Sequence, residues 1–370
     1  MLDFNFNEAL EKIGRLQMFQ LANEARPASE YLFNTLLPEV NLPDYHVEAG
    51  SMRVIPTMAG LTAESSEYAK TGVVTLSTFL EETAKLSSET SLSEGALRKM
   101  QAMLEKLELR GGNTTDAMVR EVLNFLDKVI IQSHMDSMEY LRSKALVDGK
   151  IDWTYGGNKL SVDYNIPSGN KIAKATGSEA YDASSSTFWE DIALAMEKLD
   201  YNVRAIIAHP TTCMAIMRQQ ANNIEVLGEG NIFRFQRLLG NNERPSRDSR
   251  DFVEIIAYGL QGAILNPADP KTTIDIDFMP VGKILLVGNN TRRSFRVGEG
   301  ATPDPILDAA LGYTHIGPTV EGSGAAGRWA RIYSPEERPW QIVGQGVTNG
   351  LPVIEAEKKI AILETEIGGS

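Results

Sequence analysis

The chain has 370 residues, 42% of them hydrophobic and 23% charged, which is the balance of a globular protein long enough for two or three cores. One cysteine, Cys213, excludes an internal disulfide framework and leaves a reducing compartment as the simplest site of synthesis. The net charge is −13 with Lys and Arg spread evenly, which argues against specific reading of nucleic acid; no stretch has the apolar length of a membrane span, and the first residues lack a signal peptide's basic segment.

Residues 7–21 read as an amphipathic helix broken before Arg26-Pro27, and residues 28–37 as a second, ending at Pro38. Neither carries enough apolar surface to stand alone, so this arm is expected to lie on another part of the chain or on another subunit. Residues 52–56 and 73–79 are strand-like, while the intervening 57–72 are polar and small. They predict a long β-hairpin with a wet tip, a unit that is unstable by itself.

Residues 93–109 predict a short helix, and Gly111-Gly112-Asn113 turns the chain into the longest element, a helix over 115–147. Its apolar residues Val119, Val122, Phe125, Leu126, Val129, Ile130, Met138 and Leu141 keep the three-and-four spacing of one helical stripe. Thr114 or Thr115 can cap it, Asp116 suits its first turn, and Gly149 supplies the stop. At ~1.5 Å per residue the rod is about 45–50 Å long. Something equally long must lie beside it.

Residues 151–155 and 159–164 are β runs separated by Gly156-Gly157-Asn158, a hairpin signature. The strand-like residues 340–347 and 359–364 are expected to join the same ribbon and pack on the long helix. Residues 167–186, rich in Ser, Gly, Lys and Ala, read as a flexible connection. A helix over 188–199 leads into an α/β region over 203–311, with a buried strand at 205–208, a turn at His209-Pro210-Thr211, a helix over 212–220 and strands at 252–257, 274–279 and 283–287.

Nothing in the sequence assembles a catalytic constellation. Gly322-Ser323-Gly324-Ala325-Ala326-Gly327 has the spacing of a dinucleotide loop, but Arg328 to Pro335 follows it as strand or loop where that loop needs a helix, so it reads as a turn. His46, His134, His209 and His315 are scattered without metal-ligand spacing, and His209 reads as completing a turn. Asp275 and Asp277 share a strand face that reads as solvated rather than as a cation site. Cys213 has no assigned base. No cofactor, metal or catalytic residue is assigned. Residues 241–251, with Arg and Asp interleaved, fit either a solvated loop or a loop that sets register between copies.

Several stretches, in this order, resemble one family. They are Tyr31-Leu32-Phe33-Asn34-Thr35-Leu36-Leu37-Pro38 before the hairpin, Ile206-Ile207-Ala208-His209-Pro210 opening the α/β region, Leu286-Val287-Gly288-Asn289-Asn290 near its end, and Arg338-Pro339-Trp340-Gln341-Ile342-Val343 followed by Leu351-Pro352-Val353-Ile354. The chain resembles the major capsid proteins of tailed double-stranded DNA phages with the Hong Kong 97-type fold, and most closely the phage lambda-type major head proteins. The resemblance implies an α+β capsid fold. Residues 1–45 would be the N-terminal arm, 46–78 an extended loop lying on a neighbouring subunit, 79–190 a peripheral domain with its spine helix at 116–147, 191–317 an axial domain, and 318–370 a return to the peripheral β-ribbon.

The function so implied is self-assembly through hexamers and pentamers into an icosahedral virion head around the DNA genome, built in the host bacterial cytoplasm. Intersubunit contacts would fall at Arg53, Glu64, Glu67, Tyr68, Lys70, Glu81 and Glu82 and at Arg244, Arg247, Asp248 and Arg250. The implied partners are the chain itself, a separate scaffolding protein (the arm being too short to be one), a portal, and a decoration protein at three-fold positions. Packaged DNA would lie close without specific contact, which suits the low basic charge. Some relatives cross-link Lys to Asn between subunits, for which Lys70 and Asn349 would be the positions, but lambda-type relatives do not and no desolvated carboxylate is identifiable to assist. The alternative is an encapsulin-like shell around enzyme cargo; a third reading, an α/β enzyme with a helical accessory domain, lacks any candidate acid or base.

Deleting residues 57–70 is expected to leave a soluble, folded subunit that no longer assembles. Shells formed by the deletion variant, seen by electron microscopy, would refute the assignment of that hairpin.

Overall fold

The computed structural model describes residues 30–55, 73–93, 95, 99, 130–155, 158–219, 224–226, 232–237, 252–266, 269–288, 310–333 and 341–367. The arm before residue 30, the hairpin tip, most of the helix expected after residue 93 (Gly95 and Lys99 are helical), the first half of the long helix and the charged loop at 241–251 lie outside the described residues.

In chain order the elements begin with helix α1 (Leu32–Leu36), β1 (Glu39–Asn41), β2 (His46–Ile55), β3 (Val73–Glu82) and β4 (Ala84–Ser93). Helix α2 (Gln132–Ser143) runs on as a π-helical turn over Lys144–Asp148, followed by β5 (Lys150–Tyr155), β6 (Asn158–Asp163), α3 (Phe188–Lys198), β7 (Val203–Ala208) and α4 (Pro210–Arg218). Strands β8 (Ile224–Val226), β9 (Ile232–Arg237), β10 (Phe252–Ala257), β11 (Gln261–Asn266), β12 (Asp269–Asp277) and β13 (Lys283–Gly288) come next. The chain ends with β14 (Gly312–Gly317), β15 (Trp329–Tyr333), β16 (Gln341–Ile354) and β17 (Ile360–Glu364).

Three of the sequence-predicted features are where they were expected. Strands β2 and β3 pair antiparallel from His46 opposite Glu82 to Ile55 opposite Val73, forming a two-stranded ribbon. The helix predicted to end at Gly149 does so: Gly149 has φ 68°, the left-handed conformation that terminates a helix. Strands β5 and β6 pair antiparallel from Lys150 opposite Asp163 to Tyr155 opposite Asn158, as the expected hairpin requires.

The long strand β16 organises a five-stranded sheet, pairing with β14 and β15 along one edge and with β4 along the other, while β1 adds parallel to β14. Strand β4 was not predicted. Its sequence, AKLSSETSLS, is dominated by Ser and Thr, and the ladder to β16, not its own apolarity, makes it a strand. A six-stranded sheet has the order β17-β13-β7-β10-β9-β8. Strands β7, β13 and β17 carry continuous apolar runs that feed two cores by alternation: Ile206, Ala208, Ile284, Leu286, Ala361 and Leu363 pack with α3 and α4, whereas Ile207, Leu285, Val287, Ile360 and Ile362 pack on the other face with Leu146 and Val147 from the end of the long helix.

That alternation corrects the expected place of residues 359–364. They do not join the β5–β6 ribbon; β17 pairs with β13 at the edge of the six-stranded sheet, because the continuous apolar run from Ile360 to Leu363 needs a layer on both faces and a hairpin offers only one. Residues 340–347 do pack against the long helix, but as part of β16, with β5–β6 a separate pair. The expected flexible connection at 167–186 is also corrected. Ile172 N–H donates to the Ile362 carbonyl and Ala175 N–H to that of Glu364, while Ile172, Ala175 and Tyr181 are buried, so a few apolar residues suffice to fix a polar segment along β17.

Helix α2 therefore lies between layers. Met135 packs toward one core with Leu146 and Val147, and Met138, Leu141 and Ala145 toward another with Ile316, Leu351 and Val353. It approaches the five-stranded sheet closely at two glycines of β16. A Cβ on Gly346 would come within 2.3 Å of Ile130 Cγ2, and one on Gly350 within 2.8 Å of Met138 Cε. At Gly312 the tight neighbour is backbone, with the Val353 carbonyl oxygen 2.0 Å from any Cβ. Gly312→Ala is therefore expected to destabilise by about 1–3 kcal/mol, and Gly350→Ala by less because the flexible Met138 thioether can shift; chemical denaturation of the two variants checks the order.

Candidate functional site

The polar chemistry of the described residues concentrates where the arm segment, the long helix and the five-stranded sheet meet, and it begins with a buried charge. Arg142 is fully buried in the last turn of α2. Its Nη2 donates to Glu39 Oε1 of β1 at 2.7 Å, Nη1 to Glu139 Oε2 one helical turn earlier at 3.2 Å, and Nε to Thr314 Oγ1 of β14 at 2.8 Å. Thr314 Oγ1 donates in turn to the Leu37 carbonyl at 2.8 Å. Arg328, in the turn before β15, also donates to Glu39 Oε1. Two guanidinium groups and two carboxylates thus neutralise one another.

The electrostatics follow burial first. Burial pushes the Glu39 carboxyl up, but Arg328 and Arg142 together outweigh it and hold the group below its ordinary value. For Glu139 burial wins and the direction is upward, against Arg142 and two further donors, Tyr258 Oη at 2.9 Å and the Phe33 N–H at 2.8 Å. Burial and the Glu139 charge raise the Tyr258 phenol, so it stays a donor. Near the same helix Gln132 Nε2 donates to Tyr31 Oη, which donates to Asp136. This is an anchor for residues 31–41, with no nucleophile and no open cleft in it.

The ribbon's root adjoins the anchor. Thr83 donates to the Tyr45 carbonyl through both N–H and Oγ1, Leu42 N–H donates to the Ile316 carbonyl, and His315 Nε2 meets the Asp44 carbonyl at 2.8 Å. Lys85 at the start of β4 pairs with Glu321 in the turn after β14.

Of the residues expected at subunit contacts, Arg53 lies in β2 opposite Thr75, and Glu81 and Glu82 lie in β3 opposite Val47 and His46. Glu82 is exposed. The described structure does not bring them together with the remainder, because Glu64, Glu67, Tyr68 and Lys70 and also Arg244, Arg247, Asp248 and Arg250 lie outside the described residues. Asn349, named as a cross-link position, is buried in β16 and donates to the Pro318 carbonyl.

The other candidates resolve as local structure. Residues 319–327 form a turn, with left-handed Ser323 and Gly324, that leads into strand β15 instead of a helix. His209 caps α4, its Nδ1 accepting from Thr211 N–H at 3.1 Å, and its Nε2 lies 3.5 Å from Asp277 Oδ1. Asp277 also accepts from Gln261 Nε2 at 2.7 Å, while Asp275 is exposed. Burial pushes the Cys213 thiol up to about 12, which leaves it an unreactive core group. Among the described residues no group of three or more His, Cys, Asp or Glu could hold a metal ion, and no helix is long and apolar enough to cross a membrane. An open depression of about 560 Å³ beside α4 is lined by Pro210, Thr211, Met214 and Arg218, among others.

Sequence reading missed Glu39, Arg142 and Arg328. The one available signal was Glu139 and Arg142 standing three apart inside an apolar stripe, where a solvated face would not be.

No family model matches the chain, and no curated protein matches it in sequence. Solved structures do. A protein assigned as the capsid protein of a prophage of Escherichia coli CFT073 aligns over 95% of this chain and 99% of its own length, at 12% identity and a TM-score of 0.52. A phage-related protein of Bordetella bronchiseptica RB50 aligns over 94% of this chain and 96% of its own at 11% identity and a TM-score of 0.49. The SrpI encapsulin of Synechococcus elongatus PCC 7942 covers 94% of each chain at 12% identity and a TM-score of 0.41. The chain has the mixed helix-and-sheet fold of phage capsid proteins.

Arg142→Met is expected to destabilise by about 3–5 kcal/mol, since it leaves the buried Glu139 carboxylate without a cation and Glu39 with Arg328 alone. Arg142→Lys recovers only part of this, because one ammonium cannot span Glu39, Glu139 and Thr314. A depressed carboxyl stabilises the fold above its ordinary pKa and that contribution disappears as pH falls toward the folded value, so the acid-dependent loss is expected to shrink in Arg142→Met. Urea unfolding at several pH values measures both effects.

Proposed function

We propose that the chain is a major capsid protein that self-assembles through hexamers and pentamers into an icosahedral head around a phage double-stranded DNA genome. The observation that carries the reading is the fold shared with the prophage capsid protein over nearly the whole of both chains. Physical chemistry supports it from a second side. A two-stranded ribbon alone is marginal in water, and among the described residues β2 and β3 pair with each other and with no further strand. A neighbouring subunit would supply the surface each lacks, and closed symmetry would repeat each weak contact around the shell.

In this reading residues 1–45 are the arm, 46–78 the loop on a neighbour, 116–147 the spine and 191–317 the domain packed around five-fold and six-fold centres, with β17 returning to that last domain's sheet. Arg53, Glu64, Glu67, Tyr68, Lys70, Glu81, Glu82, Arg244, Arg247, Asp248 and Arg250 are the proposed intersubunit contacts. The role is structural, not enzymatic. Its proposed partners are further copies of the chain, a separate scaffolding protein, a portal and a decoration protein, with assembly in the host cytoplasm.

Negative-stain electron microscopy of the purified protein, alone and with its scaffold, tests the reading. Closed shells or hexameric and pentameric rings are expected; a uniformly monomeric or dimeric protein under both conditions refutes it. The contents of shells made in the native host, DNA or enzyme cargo, separate a phage head from an encapsulin-like compartment.

A further inference from the structure

The ribbon joins the body through two legs, residues 42–45 before β2 and strand β4 after β3, and a buried histidine meets each. His315, 2% exposed, holds the first through Nε2 and the Asp44 carbonyl. His134, 4% exposed in the first turn of α2, meets the second through Nε2 and Ser88 Oγ at 2.9 Å. In both rings Nδ1 is buried without a hydrogen-bond partner.

A second proton acts differently on the two. A carbonyl only accepts, so His315 Nε2 already carries its hydrogen and keeps that bond when the ring is charged. His134 sits where α2 crosses β16, its Nε2 2.7 Å from the position of a Cβ on Gly346, so the ring has no room to swing away. The charged group facing it is Arg328, of the same sign as an imidazolium. From β4 it meets the neutral Ser88, and from β16 the Gly346 backbone. The carboxylates nearby are committed elsewhere: Asp136 accepts from Tyr31, Glu139 from Arg142 and Tyr258, Glu39 from both arginines, and Glu89 from Gln345.

We propose that His134 is an acid-sensitive latch: charging its imidazole loosens the start of α2 from the β4–β16 floor and frees the ribbon's second leg, while His315 keeps the first in place. Burial, with Arg328 adding and the Gly346 backbone opposing, lowers the His134 pKa to about 4 from an ordinary 6.5. A folded value below the unfolded one means the closed arrangement is fully stabilised above pH 6.5 and loses that stabilisation progressively as pH falls toward 4.

Hydrogen–deuterium exchange of the full chain, followed by mass spectrometry and corrected for intrinsic rates, tests the latch. The opening equilibrium of peptides covering 130–138 and 84–93 is expected to rise about twentyfold between pH 7 and pH 5, with peptides from β7 and β13 unchanged. His134→Gln should flatten that dependence and His315→Gln should leave it. An equal rise in His134→Gln, or a rise spread evenly over the chain, overturns the proposal. Should His134→Gln fail to fold, an NMR titration of the wild-type imidazoles decides: a His134 ring titrating near pH 4 to 5 supports the latch, and one titrating at 6.5 or above overturns it.

Discussion

Arg142 carries a full positive charge where its side chain has no exposure at all, and the rest of the arrangement has to satisfy it. An ion moved from water into the interior loses several kcal/mol of hydration, recovered only with good geometry and complete hydrogen bonding. Here the partners come from separate parts of the chain: Glu39 from β1, Glu139 from the helix itself, Thr314 from β14, with Arg328 completing Glu39. Well-packed apolar side chains of similar volume would stabilise as much or more. What the charges add is selection, since a packing that moved β1 or β14 off the helix would leave part of the Arg142 guanidinium without its partners. The cluster fixes β1, which ends at Asn41, and so fixes where β2 begins at His46.

A steric constraint accompanies the electrostatic one. Ile130, His134 and Met138 stand four apart on the long helix and span about 12 Å along its axis. Gly346 and Gly350 stand four apart on β16 and span about 13 Å. The near-equality lets helix and strand run side by side with the side chains of one seated on the missing side chains of the other. Thr348, between the two glycines, is fully buried in the same strand. Close approach of this kind leaves little volume for adjustment, which is why the ring of His134 is confined and why its second nitrogen stays dry.

Much of this fold was legible because period and punctuation are local. The three-and-four spacing ending at Gly149, the two runs flanking Gly156-Gly157, and the helix at Phe188–Lys198 with Glu190 and Asp191 in its first turn need no tertiary context. The errors share one cause, the partner strand. Residues 84–93 look like a polar loop until β16 is known to lie beside them, and residues 360–364 look like any apolar strand until the two layers around them are known. The ionic cluster was hidden for the same reason, since Glu39, Arg142 and Arg328 are distant in sequence and none is unusual alone.

The division between what is self-sufficient and what is not bears on the proposed assembly. Among the described residues, strands β7, β13 and β17 are covered on both faces by residues of the same chain, and the charges under β1 are neutralised within it. Among the described residues the β2–β3 ribbon has its own main-chain ladder, and its root is held through Tyr45, Asp44 and Ser88 and by Val47, buried in the core around Met138 and Leu141. In the proposed shell, a ribbon that pairs with no further strand among the described residues would find its remaining partners on neighbouring subunits. The root is also where the buried histidines lie, next to Val47 and Met138 of the core, so a change there would bear on the angle at which the ribbon leaves the body. In a closed shell, where curvature is the sum of many such angles, a small change at each root is multiplied by symmetry into a change of the whole.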